Sequence, residues 1–166
     1  WFNDKKTTRF LYQGKFPHTI KDQLEYLESI RHSKDRLVVL IKPKDLEKVV
    51  GVCSLSEIDR FSRTAGFALV IGQRNFKAKH KEMIGLEAKS RLIEHAFEVL
   101  GLKRIFGHQV TDLRKWHSWQ VLLGFRTEGF LRKASFEGYR SLDSLISAVL
   151  LNDYLNLKKL RGGVYW

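Results

Sequence analysis

The stretch from Ala65 to Gly101 constrains this chain more than any other, because the apolar pattern changes period inside it. Ala65 to Gly72 is a short apolar run of the kind that sits in a sheet. Gln73 to Met83 carries almost no apolar side chains and reads as a loop. From Gly85 onward Ala88, Leu92, Ala96, Phe97 and Leu100 recur at helical spacing. Glu87, Lys89, Arg91, Glu94 and Glu98 are assigned to the opposite, polar face, and Gly101 supplies a C-terminal stop. Lys103 to Val110 resumes as a strand. Strand, helix, strand in that order predicts a crossover that lays the two strands parallel.

The rest of the chain builds around that unit. Thr8 to Tyr12 reads as a short opening strand. Thr19 is a plausible N-cap for a helix whose apolar positions are Ile20, Leu24, Leu27 and Ile30. Arg36 to Ile41 and Val49 to Leu55 read as antiparallel partners around a turn at Pro43-Lys44-Asp45, and the strand at Ala65 completes a meander. Leu113 to Leu123 is a second amphipathic helix closed by Gly124. Phe125 to Phe136 and Tyr139 to Leu151 read as two long strands joined at Glu137-Gly138. The order β-α-β-β-β-loop-α-β-α-β-β defines an α/β (α+β) class with a mixed, mostly antiparallel sheet of about six to seven strands. One domain spanning residues 1–166 is the expectation at this length.

Composition narrows the partners. Lys and Arg outnumber Asp and Glu by 30 to 18, a formal charge of +12, which favours anionic ligands. Cys53 is the single cysteine, so no internal disulfide and no cysteine-clustered metal site can form; it reads as a small buried strand residue. No apolar run reaches membrane-spanning length, and a reduced cytoplasmic setting fits. Arg114 to Trp119 interleaves basic and aromatic residues, but Trp116, Trp119 and Leu123 lie at helical spacing and are expected to pack rather than to bind nucleic acid.

The basic loop before Gly85 is where chemistry is expected. The first turn of a helix presents N–H groups without intrahelical partners, and these form an anion site at the positive end of the dipole. Lys77, Lys79, His80 and Lys81 precede it, and Gly85 lets a phosphate come close to the backbone. The stretch is neither a Walker loop nor a GxGxxG fingerprint, since both spacings are missing.

Five phrases in order carry a resemblance to a known family. They are Val50-Gly51-Val52-Cys53-Ser54-Leu55-Ser56-Glu57-Ile58-Asp59, Phe67 to Gly72, Ile84 to Ala88 continued by His95 to Leu102, Leu123-Gly124-Phe125 running on to Glu128-Gly129, and Phe136 to Arg140 followed by Asp143. Together the sequence resembles the GNAT superfamily of acyl-CoA-dependent N-acetyltransferases, in the branch holding ribosomal-protein N-terminal, spermidine and amino-sugar acetyltransferases. The resemblance implies a sheet splayed between its two parallel strands, helices on both faces, and acetyl-CoA as cosubstrate with no metal. It places the pantetheine arm beside Val70 and Ile71. It places the pyrophosphate on the amides of Met83, Ile84, Gly85 and Leu86, with Lys79 and Lys81 neutralising charge. The reaction it implies is direct attack of an amine on the thioester; by their places on the strands, His108, Glu57 and Asp59 are the candidate bases.

The chain departs from the family pattern in four places. Met83 stands for the first glycine of the loop, Arg114 for a frequent Asn, Gln120 for a frequent tyrosine acid and Gly66 for a frequent glutamate. Those departures motivate an alternative, a non-catalytic module of the same fold binding nucleic acid or an acidic protein. For an enzyme, net charge argues against a polyamine and towards a nucleotide-linked amino sugar or an acidic protein surface, with a protein N-terminus left open. The long terminal strands would support a homodimer.

Overall fold

The computed structural model describes residues 1–11, 16–73, 75–76 and 81–166. Its elements are α1 (Ile20–Arg31), β1 (Leu37–Ile41), β2 (Gly51–Asp59), β3 (Thr64–Ile71), α2 (Ile84–Glu98), β4 (Arg104–Val110), α3 (Arg114–Leu122), β5 (Arg126–Glu137), β6 (Arg140–Leu150) and α4 (Leu151–Leu160), with a 3₁₀ turn at Lys81–Met83 leading into α2. The strands form one six-stranded sheet in the order β1-β2-β3-β4-β6-β5. Every neighbouring pair is antiparallel except β3 and β4, which the α2 crossover lays parallel, as the change of period predicts.

Two expectations are corrected. Thr8 to Leu11 is turn rather than strand; Thr8 N–H and Oγ1 both bond to the Asp4 carbonyl, which curls the chain instead of extending it, and Tyr12 lies outside the described residues. The sheet therefore starts at β1. At the other end the chain turns helical at Leu151, where the Asp153 carboxylate accepts from the Leu150 N–H and closes the first turn of α4. Thr19, by contrast, caps α1 with a reciprocal Asp22 bond, as its position predicts. The apolar positions of α1 are not buried: Ile20, Leu24 and Leu27 are all exposed.

The core lies between the sheet and α2. Cys53 and Leu55 of β2, Ala65 of β3, Ile105 of β4 and Val149 of β6 pack with Leu86, Leu92, Ile93, Ala96 and Phe97. The Cys53 thiol is buried and burial pushes it up to about 11, so it is a packing residue. Helix α4 joins from the side, its Tyr154 ring 5.0 Å from Phe97 and 4.6 Å from Tyr165. The Tyr165 hydroxyl donates to the Leu123 carbonyl at 2.6 Å, and Arg161 donates to the Leu122 carbonyl at 2.7 Å. These bonds pin the corner between α3 and β5, where Gly124 takes φ +79° and lies against Leu157.

Candidate active site

Strands β3 and β4 pair only at Thr64↔Arg104, Ala65↔Ile105 and Gly66↔Phe106. Beyond Gly66 and Phe106 the two run on to Ile71 and Val110 without bridging each other. Each stays bonded on its outer side, β3 to β2 as far as Ile71 and β4 to β6 as far as Val110. What faces inward is a pair of strand edges with unspent backbone donors and acceptors, a geometry that takes an extended ligand as an added strand. Val70 and Ile71 lie on this stretch of β3.

The start of α2 stands beside the open end. Met83 precedes the helix at φ −98° and ψ −11°, with no side-chain cap, so the amides of the first turn have no side-chain acceptor. That backbone conformation suits any L-residue, and Met83 departs from the glycine pattern at no conformational cost. Gly85 is buried, and a Cβ there would come within 3.1 Å of the Trp119 ring and 3.9 Å of Ile71. The close approach that Gly85 permits in this structure is thus by an indole, which ties α3 to the mouth of the opening. Trp116 stacks edge-on against Trp119 at 5.1 Å, so both pack as their spacing predicts. Lys81 lies 4.7 Å from the Phe76 ring, and Lys79 falls outside the described residues.

The three candidate bases separate. His108 is exposed on β4 two residues beyond the last bridge, its ring 6.5 Å from Phe106, and so lines the opening. Glu57 sits in the β2 bulge at φ 53°, level with the foot of the opening and exposed. Asp59 pairs with Thr64, on the closed side of the three bridges. Its carboxylate accepts from the N–H groups of Phe61 and Ser62 at 2.8 and 3.1 Å, and hydrogen bonds from Ser62 and then Phe61 hold it below the usual carboxylate range. It serves the turn and is remote from the opening.

The departures from the family pattern have physical counterparts. A Cβ at Gly66 would press on Ser56 Oγ at 3.2 Å and make ordinary contact with the Phe106 ring at 3.6 Å. Gln120 is buried and accepts from Ser147 Oγ at 3.0 Å. A Cβ on Gly107 would lie 3.4 Å from the Phe67 carbonyl oxygen and 3.9 Å from Gln120 Nε2, which places all three at the foot of the opening.

Lys89 is the residue that sequence reading assigned to the wrong face. It is 1% exposed, and its Nζ stands 4.0 Å from the Phe125 ring centroid and 5.1 Å from that of Phe67. Burial pushes the amine down to about 7. The signal was in the period: residues 85, 89, 92 and 96 fall on one stripe of a 3.6-residue helix. A cavity of about 860 Å³ lies between β1 and α2, lined among others by Val39, Ile41, Cys53, Ile84 and Ala88 and by no residue of β3, β4 or α3.

Residues 1–115 match the family model of the acetyltransferase (GNAT) domain, and the chain belongs to that family. It is an N-acetyltransferase using acetyl-CoA as cosubstrate. Among solved structures it is similar to the spermidine N-acetyltransferase of Vibrio cholerae in complex with CoA and spermine, at 20% identity and a TM-score of 0.82 over 93% of this chain and 88% of that one. It is also similar to a probable acetyltransferase, at 20% identity and a TM-score of 0.75 over 92% and 83% of the two chains. At these identities the likeness is one of fold. No curated protein matches the sequence.

Proposed function

We propose that this chain acetylates a primary amine at the opening between β3 and β4, by direct attack on the thioester of acetyl-CoA. The observation that carries the reading is the stop in β3–β4 pairing after Gly66↔Phe106, which leaves two inner strand edges for one extended ligand. Acetyl-CoA supplies the activated acyl group. The inner edge of β3 around Val70 and Ile71 binds the pantetheine amides as a strand would, and one unpaired N–H there stabilises the developing oxyanion. The amides of Met83, Ile84, Gly85 and Leu86 receive the diphosphate, with Lys79 and Lys81 adding charge. His108 takes the acceptor's proton, because it is the candidate base that lines the opening.

For the acceptor, the crystallised neighbours that act on spermidine support an aliphatic polyamine over the amino sugar or protein N-terminus expected from the sequence. The test is a thermal shift with CoA, followed by thiol release from acetyl-CoA with spermidine, an amino-sugar nucleotide and an N-terminal peptide in parallel. CoA at about 100 times its Kd adds about 2.7 kcal/mol of stability, and one acceptor class releases thiol well above the others. A protein that neither gains stability from CoA nor releases thiol with any amine refutes the proposal, and salt-sensitive retention on RNA in its place supports the binding module.

A further inference from the structure

A lysine with no counter-charge is an expensive thing to bury, and among the described residues Lys89 is the charge-bearing one that the core buries. Among the described residues its amine has no hydrogen-bond or carboxylate partner. The elements packed against it offer phenyl faces, Phe67 from β3 and Phe125 ahead of β5. The acidic residues of its own helix are committed elsewhere: Glu87 to Arg91, and Glu94 and Glu98 to Lys158. A leucine or methionine would fill the same space without the penalty, so stability does not account for the residue.

Its position does suggest a use. Phe67 is the first residue of β3 past the last bridge to β4, and its carbonyl oxygen borders Gly107 at the foot of the opening. The amine rests against the ring of that same residue. Phe125 connects the lysine to Gln120, since the Phe125 N–H donates to the Gln120 carbonyl at 2.9 Å. Gln120 occupies the place of the family's frequent tyrosine acid, and an amide side chain cannot give up a proton to a leaving group. Lys89 stands on the helix side of that foot, its amine against the Phe67 ring, and an ammonium is an N–H acid.

We propose that Lys89 is the proton donor of the transfer, delivering a proton to the sulphur that leaves when the acetyl group moves. In the balanced step the acceptor nitrogen forms its bond to the acetyl carbon and the carbon–sulphur bond breaks. The sulphur keeps the electron pair and takes a proton from the Lys89 ammonium; the acceptor nitrogen gives its own proton to His108 or water, and Lys89 regains one through the opening. This rests on the acetyl-transfer reading above.

The test compares wild type with Lys89→Met and Lys89→Gln, two unbranched replacements that fit the same space. CoA binding by thermal shift comes first, and its absence in the wild type overturns the acetyl-transfer reading and this proposal together. With binding intact, the thiol of bound CoA is titrated by its thiolate absorbance. It ionises at lower pH in the wild type than in either variant, because thiolate and ammonium hold each other charged and titrate as a pair. The variants also lose about 10- to 100-fold in kcat, and the alkaline limb of the kcat profile disappears. Variants that bind CoA, leave the thiol titration unmoved and keep kcat within about twofold, with the same pH profile, would falsify the assignment.

Discussion

The two ends of α2 treat their lysines in opposite ways. At the C-terminal end Lys158, reaching over from α4, meets the carboxylates of Glu94 and Glu98 and the Tyr154 hydroxyl, and those hydrogen bonds, Glu98 first, raise its pKa. Near the N-terminal end Lys89 meets two phenyl rings, and burial lowers it. The first amine is locked in its charged form and fastens α4 to α2. The second can change charge near neutrality and fastens nothing. The charged amine that joins two helices has hydrogen-bond partners; the one beside the open sheet has aromatic faces among the described residues.

The comparison breaks most readily at Lys89. The unfolded chain holds this proton up to the ordinary value of 10.5 and the folded chain releases it near 7, so between those limits the unfolded state binds more protons and stability rises with pH. Below about pH 7 the burial cost is fully present. Lys89→Met is expected to raise unfolding free energy by about 3 kcal/mol at about pH 6, with the gain fading towards about pH 10, read by urea denaturation. A flat difference across that range would show that the amine is solvated.

Gly85→Ala sharpens the contrast from the open side. Its Cβ presses on Trp119 at 3.1 Å and crowds the first-turn amides, so CoA affinity falls about tenfold, about 1.4 kcal/mol by calorimetry. At the closed end Tyr154→Phe keeps the ring against Phe97 and Tyr165 while removing the hydroxyl from Glu98, and costs about 1 kcal/mol in urea unfolding. Glu98→Gln is the smallest change, about 0.5 kcal/mol, because solvent screens the half-exposed ion pair. The Glu98 carboxylate is held low by Lys158 and then Tyr154. Its contribution is present above the ordinary carboxylate range and lost as pH falls through the folded value, so that variant and wild type converge in acid.

The α2 crossover was legible because a change from strand to helical period leaves few topologies open, and the meander of β1, β2 and β3 followed from β-branched runs separated by turn residues. The opening itself was legible only through family resemblance: nothing in Phe67 to Ile71 says that its neighbour strand stands away. At Lys89 charge points to the solvent face, whereas its angle on the helix, shared with Leu92 and Ala96, points to the core. The first-strand error has a similar source. Apolar residues at Phe10 and Leu11 suggested extension, whereas Asp4 organises a run of turn bonds to Lys6, Thr7 and Thr8. Helix α4 escaped notice because its start continues the apolar pattern of β6, and only the bond from Asp153 back to the Leu150 N–H marks the change.

The hold that Arg161 and Tyr165 keep on the Leu122 and Leu123 carbonyls has a practical side. Phe125, one of the two rings shielding Lys89, hangs from that same corner. Trimming residues 161–166 as if they were an idle tail would let water in behind the ring and drive the amine back towards an ordinary basicity. A protein shortened in this way would also lose the buried Tyr165 ring that packs on Tyr154, so the cut reaches the core.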